Sequence, residues 1–406
     1  MAKKTTTKKA AKKTTRKKAP ARRNSGDDAR STWSPPAPIP LDRVLGQSRS
    51  LGVLGDAIAS GRLHHAWIFH GPSGVGKFTA ALAWAAVLLD PDASPDLAGR
   101  LTVDPASPAQ RLLASGQHPG LHVIVKELAR FSSDDKARSS KLMTIPRAVI
   151  DERLVRPAQL RVPGGEQGGA AAGKVFIIDE AELLDRSPTN ATSQNAILKT
   201  LEEPAPGCVF ILVTSSEDRL LPTIRSRCQR VAFTPLTRDD LAVWLDERLG
   251  LEVTPDERAW LLEAADGSPG WITRAADAGL FGWWQQLEPM LRSLDAGRVP
   301  LELGPAVAKL ADDRAAAWVK QGEKQGELRS KEVANHLAAG QVFGLIATHY
   351  RRALRSGDAD AAERGVRAMD AIVRAERELR SNVSLKLAAD HLVAGLDAAA
   401  AGEYVF

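Results

Sequence analysis

The sequence predicts an α/β fold with a parallel, doubly wound sheet, followed by an all-helical C-terminal half. Three observations carry that prediction. A glycine-rich stretch, Gly71-Pro72-Ser73-Gly74-Val75-Gly76-Lys77-Phe78-Thr79, lies between the apolar run Ala66-Trp67-Ile68-Phe69 and an alanine-rich segment, residues 80–89. A second apolar run, Val175-Phe176-Ile177-Ile178, ends in two acids, Asp179-Glu180. From Pro235 onward the pattern turns all-helical. Strands alternating with helices argue a parallel sheet.

With 406 residues, 44% of them hydrophobic, the chain has material for two or three domains. No run of 18 apolar residues is present, so no transmembrane helix is expected. The N-terminus lacks the apolar segment of a secretory signal. Cys208 and Cys228 are the two cysteines and lack CxxC spacing, which fits a reducing cytoplasm. The net charge of +6 is concentrated in one place. Residues 1–23 hold eleven Lys or Arg and no acid; taking these from the total of 55 leaves 44 basic against 49 acidic residues, a net of −5. Such a Lys/Thr/Ala tract is too charged and too poor in apolar surface to fold. It reads as a tether that neutralises DNA phosphates, as a solubilising tail, or, in a eukaryote, as a nuclear-localisation signal.

Taken in order, residues 24–40 form a proline-rich linker, and a helical pattern runs through Leu51, Leu54 and Ile58 to Gly61. The strand at Ala66 and the glycine loop follow. Residues 90–120 are rich in Pro, Asp and Ser, a strand covers Leu121 to Val125, and 126–144 reads as a loop. Ile145 to Leu160 reads as a helix interrupted before Pro157, and 161–173 as a glycine-rich loop. After the Asp179-Glu180 strand come a helix through Ala196, Leu198 and Leu201, a buried strand from Cys208 to Val213 with Thr214 at its end, and a last strand from Arg230 to Phe233. Segments 237–248, 255–265 and 269–279 are short helices, and 283–401 longer ones. Val366, Met369, Ile372, Val373 and Leu379 share a face of 359–380, which is expected to be bundle core.

Strand, glycine loop, helix is the context of a phosphate-binding loop. The backbone of Gly71 to Thr79 would turn its N–H groups toward one anion, the helix N-terminus would add its dipole, and Lys77 would reach the outer phosphates. Phe78 breaks the pattern, which places a Ser or Thr hydroxyl on Mg²⁺ there. Thr79 is one residue on, about 100° around a helix, and is not expected to substitute. Asp179 is expected in the Mg²⁺ shell, and Glu180 to orient or deprotonate the attacking water. Thr214 would sense the γ-phosphate or hold that water; a strand-end Thr that caps a turn is the plainer reading.

The residues then support a resemblance. Asn195-Ala196-Ile197-Leu198-Lys199-Thr200-Leu201-Glu202-Glu203-Pro204 and Leu221-Pro222-Thr223-Ile224-Arg225-Ser226-Arg227-Cys228 resemble signatures of bacterial clamp-loader ATPases of the AAA+ group. Gly46-Gln47, Arg62-Leu63-His64-His65-Ala66 and Gly71 to Lys77 fit the same family, over about residues 41–275. Ser381 to Leu385 resembles the end of its collar domain. The resemblance implies a basic tail and linker at 1–40, a RecA-like AAA+ domain at 41–235, a helical lid at 236–282 and a helical collar at 283–406. It implies DNA replication in the bacterial cytoplasm, at the replisome. The partners it implies are gamma/tau and delta subunits, a sliding clamp and primed DNA. Arg227 would be an arginine finger acting on a neighbour's ATP.

Three departures favour the delta-prime type of subunit over the gamma/tau motor. Phe78 replaces the Mg²⁺-binding hydroxyl, and the lid tetrad Gly267-Ser268-Pro269-Gly270 has glycine where the motor has a phosphate-sensing arginine, with Arg274 a helical turn later. The third is the lack of a long proline-rich extension. A four-cysteine zinc module expected in the family is replaced by a segment without cysteine, in which His118 and His122 make no complete site, so no zinc is expected. ATP binding stays open and hydrolysis by this chain is expected to be weak or absent. The alternatives are a gamma/tau-type motor with a tolerant loop, and a DNA-binding architectural protein on a degenerate NTPase core.

Overall fold

The computed structural model describes residues 33–95, 101–140, 142–160, 171–185, 191–250, 252–324, 330–355, 357–381 and 383–402. The basic tail, Gly164, Gly165, Gly168 and Gly169 lie outside the described residues, as does Asn382. Pro35–Phe406 forms one compact unit; of the other, Met1–Ser34, only Trp33 and Ser34 are described.

Five strands make a parallel sheet: β1 (Ala66–His70), β4 (Leu121–Ile124), β5 (Lys174–Ile178), β6 (Cys208–Thr214) and β7 (Gln229–Ala232), in the order β4-β5-β6-β1-β7. A separate antiparallel pair, β2 (Ser94–Pro95) and β3 (Leu101–Thr102), lies in the excursion after the loop helix. Every residue of β5 and β6 is buried, as continuous apolar runs require when helices cover both faces. Register places His122, Phe176 and Phe210 in one row across three strands, and their rings stack with centroids 4.6 and 5.0 Å apart. Burial, with Lys174 nearby, pushes His122 down to about 4, so it is a neutral packing ring. His118 Nδ1 accepts the Gly120 N–H at 3.1 Å. Among the described residues no group of three or more His, Cys, Asp or Glu could hold a metal ion.

The longer helices before the lid are α1 (Ser48–Ala59), α2 (Lys77–Leu88), α3 (Pro108–Ala114) and α4 (Thr192–Glu202). All residues of α2 from Ala80 to Leu88 are buried, so this helix is wrapped on every side. The segment before Pro157 stays helical: Arg147–Ile150 and Arg156–Gln159 flank a π turn, Asp151–Val155. The expected interruption is thus a widened turn, which accommodates the missing N–H of proline. Segment 126–144 holds two short helical pieces, Lys126–Phe131 and Asp135–Arg138, where a loop was expected. Asp134 caps the second by accepting the Ala137 N–H. Lys174, buried at the start of β5, donates to the carbonyls of Pro157 and Leu160, 2.7 Å each, and so ends that helix.

The lid helices α5 (Arg238–Trp244), α6 (Pro255–Ala264) and α7 (Pro269–Ala278) each start at a capping hydroxyl: Thr237, Thr254 and Ser268. Then come α8 (Leu280–Asp295), α9 (Leu303–Lys324), α10 (Lys331–Leu354), α11 (Ala359–Arg380) and α12 (Leu385–Ala400). Lid and bundle share one apolar core running from Leu236 to Ala399. The expected face of α11 holds in part: Ile372 is buried and Met369 and Leu379 pack against the core. Val366 and Val373 are 49% and 40% exposed, and the buried stripe is Ala368, Ala371, Ile372 and Ala375. Its spacing is i, i+3, i+4, i+7, and small residues let the helices approach where valines would hold them apart.

Candidate nucleotide-binding site and a separate arginine edge

β1 ends at His70 and the chain turns at Gly71 with φ 136; a Cβ there would lie 2.1 Å from the Phe233 carbonyl oxygen, so only glycine fits. The following residues wrap a cavity of about 720 Å³. Ser73, Gly74, Val75, Gly76, Lys77, Phe78 and Thr79 line it, opposite Asp179, Glu180 and Thr214, with Val44, Leu45 and Trp244 forming an apolar side. Parallel register explains the convergence, because His70 pairs with Thr214 and Ile178 with Leu212, bringing these strand ends to one edge. Buried Gln47 ties that edge together, donating to the Thr234 carbonyl at 2.7 Å and to the Val75 carbonyl at 3.3 Å.

Lys77 is buried and donates to the carbonyls of Gly71, 2.7 Å, and Pro72, 2.5 Å. Burial lowers its pKa, while Glu182 and Asp179 act in the opposite direction. Asp179 is raised to about 6, chiefly by burial and further by Glu180 and Glu182, against a hydrogen bond from the Glu180 backbone. At neutral pH it is therefore mostly ionised. Glu180 holds a left-handed backbone, φ 48, and its carboxylate lies 2.5 Å from Lys126 Nζ.

Thr214 donates its hydroxyl to Glu182 at 2.7 Å and accepts the Ser216 N–H at 3.0 Å. Buried Glu182 also accepts from Ser215 N–H and Oγ. Burial pushes Glu182 up, yet the hydrogen bonds from Ser215 and Thr214 outweigh it and hold it below the ordinary glutamate value. Sequence reasoning passed over Glu182 and Lys126. The acid run Asp179-Glu180-Ala181-Glu182 signalled the first; only the sheet's register brings the second to Glu180.

The lid closes over the loop through backbone. Gly270 N–H donates to the Gly74 carbonyl at 2.9 Å, and Ser268 Oγ to that of Ser73 at 3.0 Å. A Cβ on Gly270 would lie 2.9 Å from Gly74 Cα. That close approach accounts for glycine at this place. Arg274 reaches the same cavity from α7 and makes no hydrogen bond or ion pair among the described residues; burial lowers its pKa, opposed by Glu180. Gly270→Ala, worth about 1 kcal/mol of stabilisation in an open helix, is expected to lower the thermal midpoint instead. A raised midpoint in a melting curve would show that the lid does not seat on Gly74.

Arg227 is not among the residues that line the cavity. It follows the single helical turn Pro222–Arg225, pairs with Glu202 at 2.7 Å and is 36% exposed. Its neighbour Cys228 is buried and pushed up to about 12, a packed thiol with no nucleophilic character at neutral pH.

A parallel sheet with a glycine-loop edge, followed by a helical lid and a helical C-terminal bundle, is the architecture of an AAA+ P-loop protein. Residues 46–237 match the family described as DNA polymerase III, delta subunit. The chain is 31% identical over 185 residues to the DNA polymerase III subunit gamma of Buchnera aphidicola subsp. Acyrthosiphon pisum, covering 46% of this chain and 42% of that protein. It is 35% identical over 216 residues to the DNA polymerase III subunit delta' of Pseudomonas aeruginosa, covering 50% and 53%. A solved Thermotoga maritima DNA polymerase III gamma subunit-related protein aligns with 86% of this chain and 99% of its own at 16% identity and a TM-score of 0.37. The matched segment thus spans about half of these relatives' length or less. Across residues 46–237 the chain is thus similar to clamp-loader subunits of DNA polymerase III.

Proposed function

We propose that this chain is a delta-prime-type clamp-loader subunit that keeps a nucleotide cradle but contributes to catalysis chiefly through Arg227, supplied to a neighbouring subunit's ATP. The observation that carries this reading is the separation of Arg227 from its own chain's cavity. An arginine that cannot serve its own site, on an exposed turn, suits a site completed by a second chain. At the cradle the loop amides and Lys77 fit a phosphate chain. The donor set for Mg²⁺ is short, because Asp179 remains but Phe78 stands where the hydroxyl belongs. With Glu180 paired to Lys126 as well, the cradle suits holding a nucleotide more than splitting it. Gamma/tau and delta subunits, a sliding clamp and primed DNA are the partners this role requires, and the basic tail offers DNA a sequence-independent contact.

The motor reading has one observation in its favour: Thr79 and Arg274 both line the cavity, so a hydroxyl and an arginine are near their usual functions. An assay with the isolated chain and labelled ATP separates the two. Binding without turnover is expected. Hydrolysis at about 1 per second or faster, an ordinary enzymatic rate, would overturn the proposal.

A further inference from the structure

Two stretches that are far apart in the chain, Asn195 to Pro204 and Leu221 to Cys228, meet at one ion pair. Glu202, the last residue of α4, places a carboxylate oxygen 2.7 Å from Arg227 Nη2. Arg227 Nη1 donates to the Thr223 carbonyl at 2.9 Å, within its own turn. The element that carries Glu202 is itself pinned. Asp185 accepts the N–H groups of Ser193, 3.2 Å, and Gln194, 2.9 Å, at the start of α4. His65 Nε2 donates to the Leu201 carbonyl at 2.9 Å near its end. The fully buried Gln194 accepts the Leu221 N–H at 2.7 Å and donates to the Arg219 carbonyl at 3.2 Å, which fastens α4 to the chain entering the arginine turn.

We infer that Glu202 is a positioning residue for Arg227: it orders the guanidinium before a neighbour's phosphate arrives. The inference rests on the trans role proposed above. A guanidinium has five N–H donors, and the two anchors leave others for an anion. A free arginine side chain surrenders much rotamer freedom when it engages a ligand, and ordering it beforehand removes that cost from the engaged state. The pair is half-exposed, so its hold is modest, and a triphosphate can draw on the remaining donors without breaking it.

The test uses the assembled clamp-loader complex with primed DNA and compares Glu202→Gln, Arg227→Ala and the double variant. Glu202→Gln is expected to lower kcat about fivefold, the upper range for an exposed ion pair, with KM for ATP unchanged. In the Arg227→Ala background it should cost nothing further, a non-additivity that a merely structural residue would not produce. Unchanged melting of the isolated Glu202→Gln chain is expected alongside. An unchanged or raised kcat for Glu202→Gln, with Arg227→Ala still impaired, would overturn the positioning role and leave the finger standing. Full activity of Arg227→Ala would overturn both.

Discussion

On the trans role proposed for Arg227, Arg227→Ala is expected to lower ATP turnover at the neighbouring site by about 10³-fold or more, the usual worth of an arginine supplied in trans. The reason is electrostatic: a fixed cation offsets charge that develops on the γ-phosphate in a site from which water is largely excluded. Assembly should survive, because the side chain is partly exposed and its recorded partners are the exposed Glu202 and one backbone carbonyl. Loss of such a pair changes stability by about 1 kcal/mol at most. Single-turnover hydrolysis by the reassembled complex, with gel filtration to confirm assembly, reads the effect. Arg227→Lys should recover little, since an ammonium lacks the planar fork that meets phosphate oxygens two at a time. Single-turnover rates equal to those of the unaltered complex would place the catalytic arginine elsewhere.

Trp84→Ala is expected to destabilise the protein by about 3–5 kcal/mol, the range for deleting a large buried aromatic ring. Trp84 is wholly buried on α2, with its ring 5.0 Å from that of Trp67 and 5.9 Å from that of Phe69 on β1. Lys77 opens the same helix, so loosening α2 also loosens the phosphate loop, and nucleotide affinity should fall with stability. Trp84→Phe should cost much less. The indole N–H is buried without a hydrogen-bond partner among the described residues, so phenylalanine removes an unsatisfied donor while retaining most of the ring. Urea unfolding followed by far-UV circular dichroism compares the two. A loss under about 1 kcal/mol for the alanine variant would mean that α2 is not seated as described.

Much of the site was legible in the sequence because its signals are local. The glycine loop, Lys77 and the Asp179-Glu180 strand end each announce themselves through neighbours within a few residues, and β5 and β6 read as buried strands from unbroken apolar runs. Partnerships were not legible. Thr214 looks free to face a phosphate, yet its hydroxyl goes to Glu182. Glu180 looks like a ready base, yet Lys126 holds it. The face of α11 was legible in part: Ile372 is buried and Met369 and Leu379 pack against the core, but Ala368, Ala371 and Ala375 close the seam where Val366 and Val373 face outward.

By itself the sequence determined the five strands of the main sheet, the glycine loop, the missing hydroxyl at Phe78 and the two motifs that resemble those of clamp-loader subunits. These follow from residue chemistry and short-range spacing, which survive without knowledge of the fold. Only the tertiary structure decided that Gly270 packs on Gly74, that Arg227 lies outside its own chain's cavity, and that Glu202 meets Arg227. Each of these depends on parallel strand register or on how the lid and α4 are seated. Such contacts join residues distant in the chain, and no local pattern of apolar and polar residues encodes which of them will touch.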